Sequence, residues 1–251
     1  MAVGFVPSTV LAAVTVSLAG PSYNQNFDSL ASTGTTNAWV AGTTLPGWHW
    51  SSSTNATPAT YTATPGTVAQ NVVLSAGIPG DRAFGGQNSS SAGHTIYFGL
   101  GLTNATGMTH DGFTLSYNGE QWRAIAGAGV DKLTFEYQVF AAGAGSITAS
   151  GTWTSVSALD FFAPFPTPGT STPVDGNDDG RVALSGGVVS GLGWDSGEEL
   201  WLRWTDTTTG SGGSLAMMTV DDVAFAVPEP QRAVLLLLGV AFAGLHRRRV
   251  G

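Results

Sequence analysis

Phe113–Ala124 reads FTLSYNGEQWRA. Phe113, Leu115 and Tyr117 alternate with Thr114 and Ser116, the period of a strand that buries one face and wets the other. The pair Asn118–Gly119 suits a tight hairpin turn, so the spacing predicts one strand closing at Tyr117 and another over Glu120–Ala124. On the second strand Glu120 and Trp122 share a face and Arg123 takes the other. ELWLRWT, Glu199–Thr205, obeys the same rule. Trp201 and Arg203 lie on one side, with Leu200, Leu202 and Trp204 on the other.

The same pattern extends in both directions. Strands are expected within Tyr23–Ala31, at Val68–Leu74, His94–Thr103, Lys132–Ala141, Ser146–Ser155, Arg181–Leu184 and Leu215–Val227. In LPGWHW, Leu45–Trp50, Trp48 and Trp50 share a face and His49 opposes them. Ser51–Thr67 is rich in Ser, Thr and Pro and reads as irregular or edge-like. Gly80–Ser90 reads as a Gly-rich loop around Phe84. No segment holds a helical period in the body. Roughly ten short strands at this spacing predict an all-β fold, a two-sheet antiparallel sandwich. A jelly roll is the specific expectation and an immunoglobulin-like topology the runner-up. The Pro-rich stretch Ala163–Pro173 reads as a long loop of this one domain.

Composition agrees. Of 251 residues, 35 are Gly and only 10% are charged, which favours strands and turns over helices. There is no Cys, so disulfides and thiolate chemistry are excluded. The net charge is −8, and the segment Gly20–Val227 alone carries about −11. So acidic a body offers no basic stripe for a phosphate backbone, and nucleic acid is not an expected partner.

The ends differ from the body. Val10–Ala19 is a short apolar run with small residues, Ser17 and Ala19, at its close. It reads as an export signal, although MAVGFVPST carries no Lys or Arg. At the other end stands VPEPQRAVLLLLGVAFAGLHRRRVG. Its apolar core, Ala233–Leu245, has 13 residues. As a helix it would span about 20 Å against a bilayer core of roughly 30 Å, so it is expected as a short transmembrane helix with snorkelling arginines. The expected divisions are a signal segment over 1–19, a sandwich over 20–227 and a tail over 228–251.

The tail resembles the PEP-CTERM sorting signal: the triplet Pro228, Glu229, Pro230, an apolar segment, and the basic cluster Arg247–Arg249. The resemblance implies export from a Gram-negative bacterium and processing by an exosortase, a membrane-embedded cysteine protease. It implies an inner-membrane-anchored precursor that passes to the cell surface or extracellular matrix. The body is similar to an uncharacterised domain carried by such proteins. The matching segments are NFDSL, LPGW, LTNATG (Leu102–Gly107), YNGEQWR (Tyr117–Arg123), LWLRWTD (Leu200–Asp206) and LAMMTVDDVAF with Asp221 and Asp222. This resemblance implies an extracellular sandwich and brings no catalytic residues with it.

Five constellations bear on chemistry. In VDGNDDGRV, Asp175, Asn177 and Asp179 stand at positions 1, 3 and 5 of a calcium-type loop with Gly180 at position 6. Gly186 occupies the place of the usual bidentate Glu, so an EF-hand is not expected, while Ca²⁺ is the candidate cofactor. Glu120 and Arg203 are an expected cross-sheet ion pair. Trp48, Trp50, Trp153 and Trp194 are candidate glycan platforms, provided that they are exposed. His49, His94 and His110 are too dispersed for a zinc set. Asp111, Glu120 and Asp160 leave open a polysaccharide hydrolase as the alternative. The leading expectation is a non-enzymatic surface or matrix protein that contacts exopolysaccharide.

Overall fold

The computed structural model describes residues 15–67, 72–88, 93–126, 130–166, 169–207 and 215–228. Its strands are β1 (Val16–Leu18), β2 (Ser22–Gln25), β3 (Asn37–Ala38), β4 (Trp48–Ser52), β5 (Thr60–Thr64), β6 (Val73–Ile78), β7 (Asp81–Gln87) and β8 (Thr95–Asn104). They continue as β9 (His110–Ala124), β10 (Lys132–Phe140), β11 (Thr154–Ser155), β12 (Phe161–Phe162), β13 (Thr172–Pro173), β14 (Arg181–Trp194), β15 (Glu199–Thr207) and β16 (Met217–Ala226). Helix among the described residues is confined to one 3-10 turn, Ser157–Leu159.

The strands form two sheets, and the chain is an all-β, mainly antiparallel sandwich. The first sheet runs β1-β8-β15-β10-β11, with β4 also on β8 and β12 on β10. The second runs β13-β9-β16-β7-β6-β5-β3, with β14 also on β9 and β2 on β16. Among the described residues only short ladders are parallel, β1 with β8 and β5 with β6.

Trp204 sits fully buried between the sheets. It stacks on Trp48 at 5.7 Å and on Phe98 at 6.0 Å, and meets Tyr117 and Phe135 edge-on at 5.3 and 5.2 Å. Trp48, Phe98 and Phe135 come from the first sheet and Tyr117 from the second. Phe84 of β7 extends the cluster through Trp39, Phe27, Trp48 and Phe98. Offset and edge contacts of this kind add to the burial of each ring. The expected alternation holds: Leu200, Leu202 and Trp204 are core residues, and Arg203 faces outward.

Four readings are corrected. Asn118–Gly119 makes no turn, because β9 runs unbroken through it. Glycine is needed there for contact: a Cβ on Gly119 would lie 2.4 Å from the Phe161 ring. Gly80–Ser90 holds a seven-residue strand, β7, rather than a loop. A Cβ on Gly85 would lie 2.3 Å from the Met218 carbonyl, so the glycines permit close strand approach. Thr60–Thr64 is a strand inside the stretch expected to be irregular or edge-like, and it lies next to the short edge strand β3 at the end of the second sheet. Ser146–Ser155 keeps only the two residues of β11 as strand.

The membrane reading is also corrected. No helix among the described residues is long and apolar enough to cross a membrane. The expected transmembrane helix over Ala233–Leu245 lies outside the described residues, and the inner-membrane-anchored precursor that depended on it is not carried forward. Residues 1–14 of the expected signal segment, and 229–251 with Glu229, Pro230 and the arginine run, lie outside the described residues.

One buried acidic pair strains the sandwich. Asp206 is fully buried at the end of β15, and burial and nearby Asp131 hold its carboxyl well above the usual range. Burial pushes Asp131 up to about 6, against backbone hydrogen bonds from Lys132 and Ala216.

Two outcomes follow from this packing. Trp204→Ala is expected to remove about 3–5 kcal/mol of stability, read from denaturant unfolding. The second concerns pH. The native state keeps protons on Asp131 and Asp206 that the unfolded chain has released, so stability falls as pH rises from the ordinary carboxyl range through about 6. Asp206→Asn is expected to lessen this fall, seen by calorimetry as a smaller drop in Tm between about pH 5 and about pH 8 than in the wild type.

Candidate functional site

The outward face of the first sheet carries a polar and aromatic cluster built on three neighbouring strands. β10 and β15 pair with Glu136 directly opposite Arg203, and β8 lies on the other side of β15. The Arg203 guanidinium donates to Glu136 Oε2 through Nη2 at 2.6 Å and Nε at 3.1 Å. Its Nη1 donates to the Ile147 carbonyl at 3.0 Å. Thr205 adds a longer contact to the same carboxylate oxygen. Arg203 and Glu136 are only 11% and 19% exposed, so water screens the pair less than a surface pair.

Two aromatic rings flank this cation. The Arg203 Cζ lies 3.8 Å from the Trp153 ring centre and 5.0 Å from that of Tyr97. Both are cation–π distances. Trp153 is half-buried, meets Phe140 at 5.9 Å and donates Nε1 to the Ala149 carbonyl at 3.1 Å.

The loop that carries Trp153 is held down by Glu199. Its carboxylate accepts from the backbone of Gly143 at 3.0 Å and Gly145 at 3.1 Å, and from Trp201 Nε1 at 3.0 Å. Gly145 has no room for a side chain, since a Cβ would lie 2.1 Å from Trp201 Nε1. Glu199 and Trp201 thus seat the loop, and the loop brings Trp153 over Arg203. What results is a rigid indole and a phenol beside a fixed ion pair, at a partly wetted surface. Such a surface can stack against the apolar face of a sugar ring and hydrogen-bond its hydroxyls.

The other tryptophans expected on a platform lie elsewhere. Trp48 and Trp194 are fully buried and Trp50 is 8% exposed. All three belong to the hydrophobic core cluster. Trp48 Nε1 donates to the Tyr23 hydroxyl, and Trp194 Nε1 to the Glu198 carbonyl. Of the four, Trp153 alone is half-exposed. The Glu120–Arg203 pair does not form. The two residues sit on different sheets, and Arg203 takes Glu136 instead. The sequence does not single out Glu136 and Tyr97, because only the strand register places them beside Arg203.

In the expected calcium loop, Asp175 and Asp179 are exposed. Asp175 Oδ1 accepts the Asn177 backbone N–H at 3.0 Å, and the Asp175 carbonyl accepts Gly180 N–H at 2.8 Å. Asn177 turns inward and donates Nδ2 to Asp81 Oδ2 at 2.8 Å. Pro228 follows β16 closely and is exposed. His94 and His110 bond to Thr54 and Thr106, and burial lowers the pKa of both. His49 packs against Trp201. Asp111 is exposed, Asp160 pairs with Lys132 at 2.8 Å, and Glu120 accepts from Trp122.

A separate open groove of about 290 Å³ lies where β2 meets β16, lined by Asn24, Gln25, Asn26, Asp222 and Val223. Its lining holds amides and a carboxylate but no aromatic ring.

No family model matches the sequence. No curated protein matches it. Among solved structures the chain is similar to that of TmCBM61 in complex with β-1,4-galactotriose, with a TM-score of 0.34 and 10% identity over 72% of this chain and 88% of that one. Similarity this distant assigns neither ligand nor residues to the sandwich described above.

Proposed function

We propose that this chain is an exported, non-enzymatic β-sandwich protein of the cell surface or extracellular matrix that contacts polysaccharide through the Trp153–Arg203–Tyr97 face. The observation that supports it is the half-buried Trp153 seated 3.8 Å above a guanidinium that Glu136 holds in place. Ring and ion pair are fixed before any ligand arrives, so little conformational entropy is lost on binding. The sheet wiring is read as a jelly roll, because the long strands β8, β9, β10, β14, β15 and β16 alternate between the two sheets.

The tail belongs to the same reading. Its triplet Pro228, Glu229, Pro230 and its arginines resemble a sorting signal, so an exosortase is the proposed partner, acting at or near the triplet.

Two measurements test these statements. On a glycan array the full chain is expected to bind at least one polysaccharide fragment, and Trp153→Ala to weaken that binding about tenfold or more while leaving the circular dichroism unchanged. Equal affinity of the variant, or no binding across the array, overturns the site. Mass measurement of the mature protein from its native host is expected to place the C-terminus near Pro228–Pro230. A terminus that retains Arg247–Arg249 overturns the processing.

A further inference from the structure

The outward face of the second sheet holds buried carboxylates that the glycan face does not use. Glu120 of β9 is fully buried and stands opposite Thr219 of β16 and Arg181 of β14. Asp221 of β16 is 3% exposed and pairs with Asn118, two residues from Glu120 on β9. Asp81 opens β7, the strand on the other side of β16.

A bulge separates the roles of the paired aspartates. The β16–β9 register shifts between Asp221 and Ala224, and Asp222 takes φ +48°, a left-handed conformation. Bulges re-aim side chains. Here Asp222 points outward to Arg181 Nη2 at 2.6 Å and Asn118 Nδ2 at 2.9 Å, while Asp221 stays inside.

The loop Asp175–Gly180 covers this face. Gln121 N–H donates to the Gly180 carbonyl at 2.9 Å, and Val174 N–H to the Trp122 carbonyl at 3.0 Å. Gly176 lies on the Trp122 indole, where a Cβ would be 2.2 Å from Cε2. The loop therefore runs from β9 to Asp81 on β7, where Asn177 Nδ2 is bonded at 2.8 Å. It passes over β16, which lies between those strands.

Three buried oxygens on this face have no hydrogen-bond partner: Glu120 Oε1, Asp221 Oδ1 and Asn177 Oδ1. All are acceptors. Buried acceptors without donors are strongly disfavoured unless something positive meets them. The carboxylates also act on one another: burial first, then Asp221 and Asp81, push Glu120 up to about 8. Burial, Asp222 and Asp81 push Asp221 up to about 7. Arg181 offsets this only in part, being already paired with Asp222.

We propose that a Ca²⁺ ion binds under this loop, with Glu120, Asp221 and the side-chain oxygen of Asn177 as ligands and Asp81 completing the set. The donors are all oxygens, drawn from three strands and a loop in an irregular arrangement. That favours Ca²⁺, which takes six to eight oxygens in flexible geometry, over Zn²⁺, which prefers nitrogen and sulfur, and over Mg²⁺, which demands a near-ideal octahedron. No group of three or more His, Cys, Asp and Glu is preassembled as a metal centre among the described residues. Glu120, Asp221 and Asp81 are not drawn that close in the ion-free chain, and the proposed ion brings them together with the Asn177 oxygen on binding. This site differs from the loop site expected from sequence: of Asp175, Asn177 and Asp179, only Asn177 serves as a ligand.

The test uses the full chain stripped with a chelator and titrated with CaCl₂. Calorimetric titration is expected to show one ion per chain, and the Tm to rise by on the order of 5 °C at saturating Ca²⁺. Asp221→Asn and Asn177→Ala are each expected to weaken Ca²⁺ at least tenfold, and Asp175→Ala and Asp179→Ala to leave it within twofold (about 0.4 kcal/mol). Asn177 lies on the covering loop, so its variant keeps the test available should Asp221→Asn fail to fold. No Ca²⁺ uptake by the wild type, or unchanged affinity in Asn177→Ala, overturns the proposal. So does loss of binding in Asp179→Ala with Asn177→Ala unaffected.

Discussion

The packing of Trp204 between the sheets is the contact on which the rest depends. One indole touches rings from β4, β8 and β10 on its own sheet and from β9 on the other. That contact sets the inward face of β15, and a strand has only two faces. Once Leu200, Leu202 and Trp204 face the core, Trp201 and Arg203 must face away from it, Trp201 buried beneath the covering loop. The burial of Trp204 thereby decides that Arg203 meets Glu136, since its neighbour β10 obeys the same alternation. A one-residue slip of β15 would bury the guanidinium and expose the indole.

The outward faces then differ because of what covers them. The first sheet is covered in part by the loop before β11, pinned by Glu199, which leaves Trp153 half-wetted. The second is covered by Asp175–Gly180, lying on Trp122, which shuts Glu120 and Asp221 away from water. One cover presents an aromatic ring to solvent, and the other encloses carboxylates that repel one another. Glycine makes both covers possible, Gly145 against Trp201 and Gly176 against Trp122, by removing the side chain that would hold the loop off the sheet.

Much of the fold was legible where alternation was strong. Phe113, Leu115 and Tyr117, and Leu200, Leu202 and Trp204, all lie on the faces expected of them. Legibility failed at glycine, which marks a turn and a close approach with the same letter. Gly119 and Gly85 are extended-strand residues that permit close contact, yet Asn118–Gly119 and the Gly80–Ser90 glycines carry the letters of a turn or loop. The candidate site was less legible. Arg203 was singled out, but its partner Glu136 lies 67 residues away in the chain and depends on register. Trp153 was found together with three tryptophans that fill the core, because an indole has the same letter whether it is buried or wet.

By itself, the sequence determined the all-β class, which residues of the main strands share a face, and the acidic, cysteine-free character of the body. These follow from local periodicity and composition, which neighbours in space do not alter. The tertiary structure alone decided which tryptophan reaches the surface, which carboxylate takes Arg203, and which residue of the Asp175–Gly180 loop turns toward the buried acids. Those outcomes rest on pairing between strands distant in sequence and on loops folding across sheets. The energy of such contacts comes from burial and register, and neither exists until the two sheets have met.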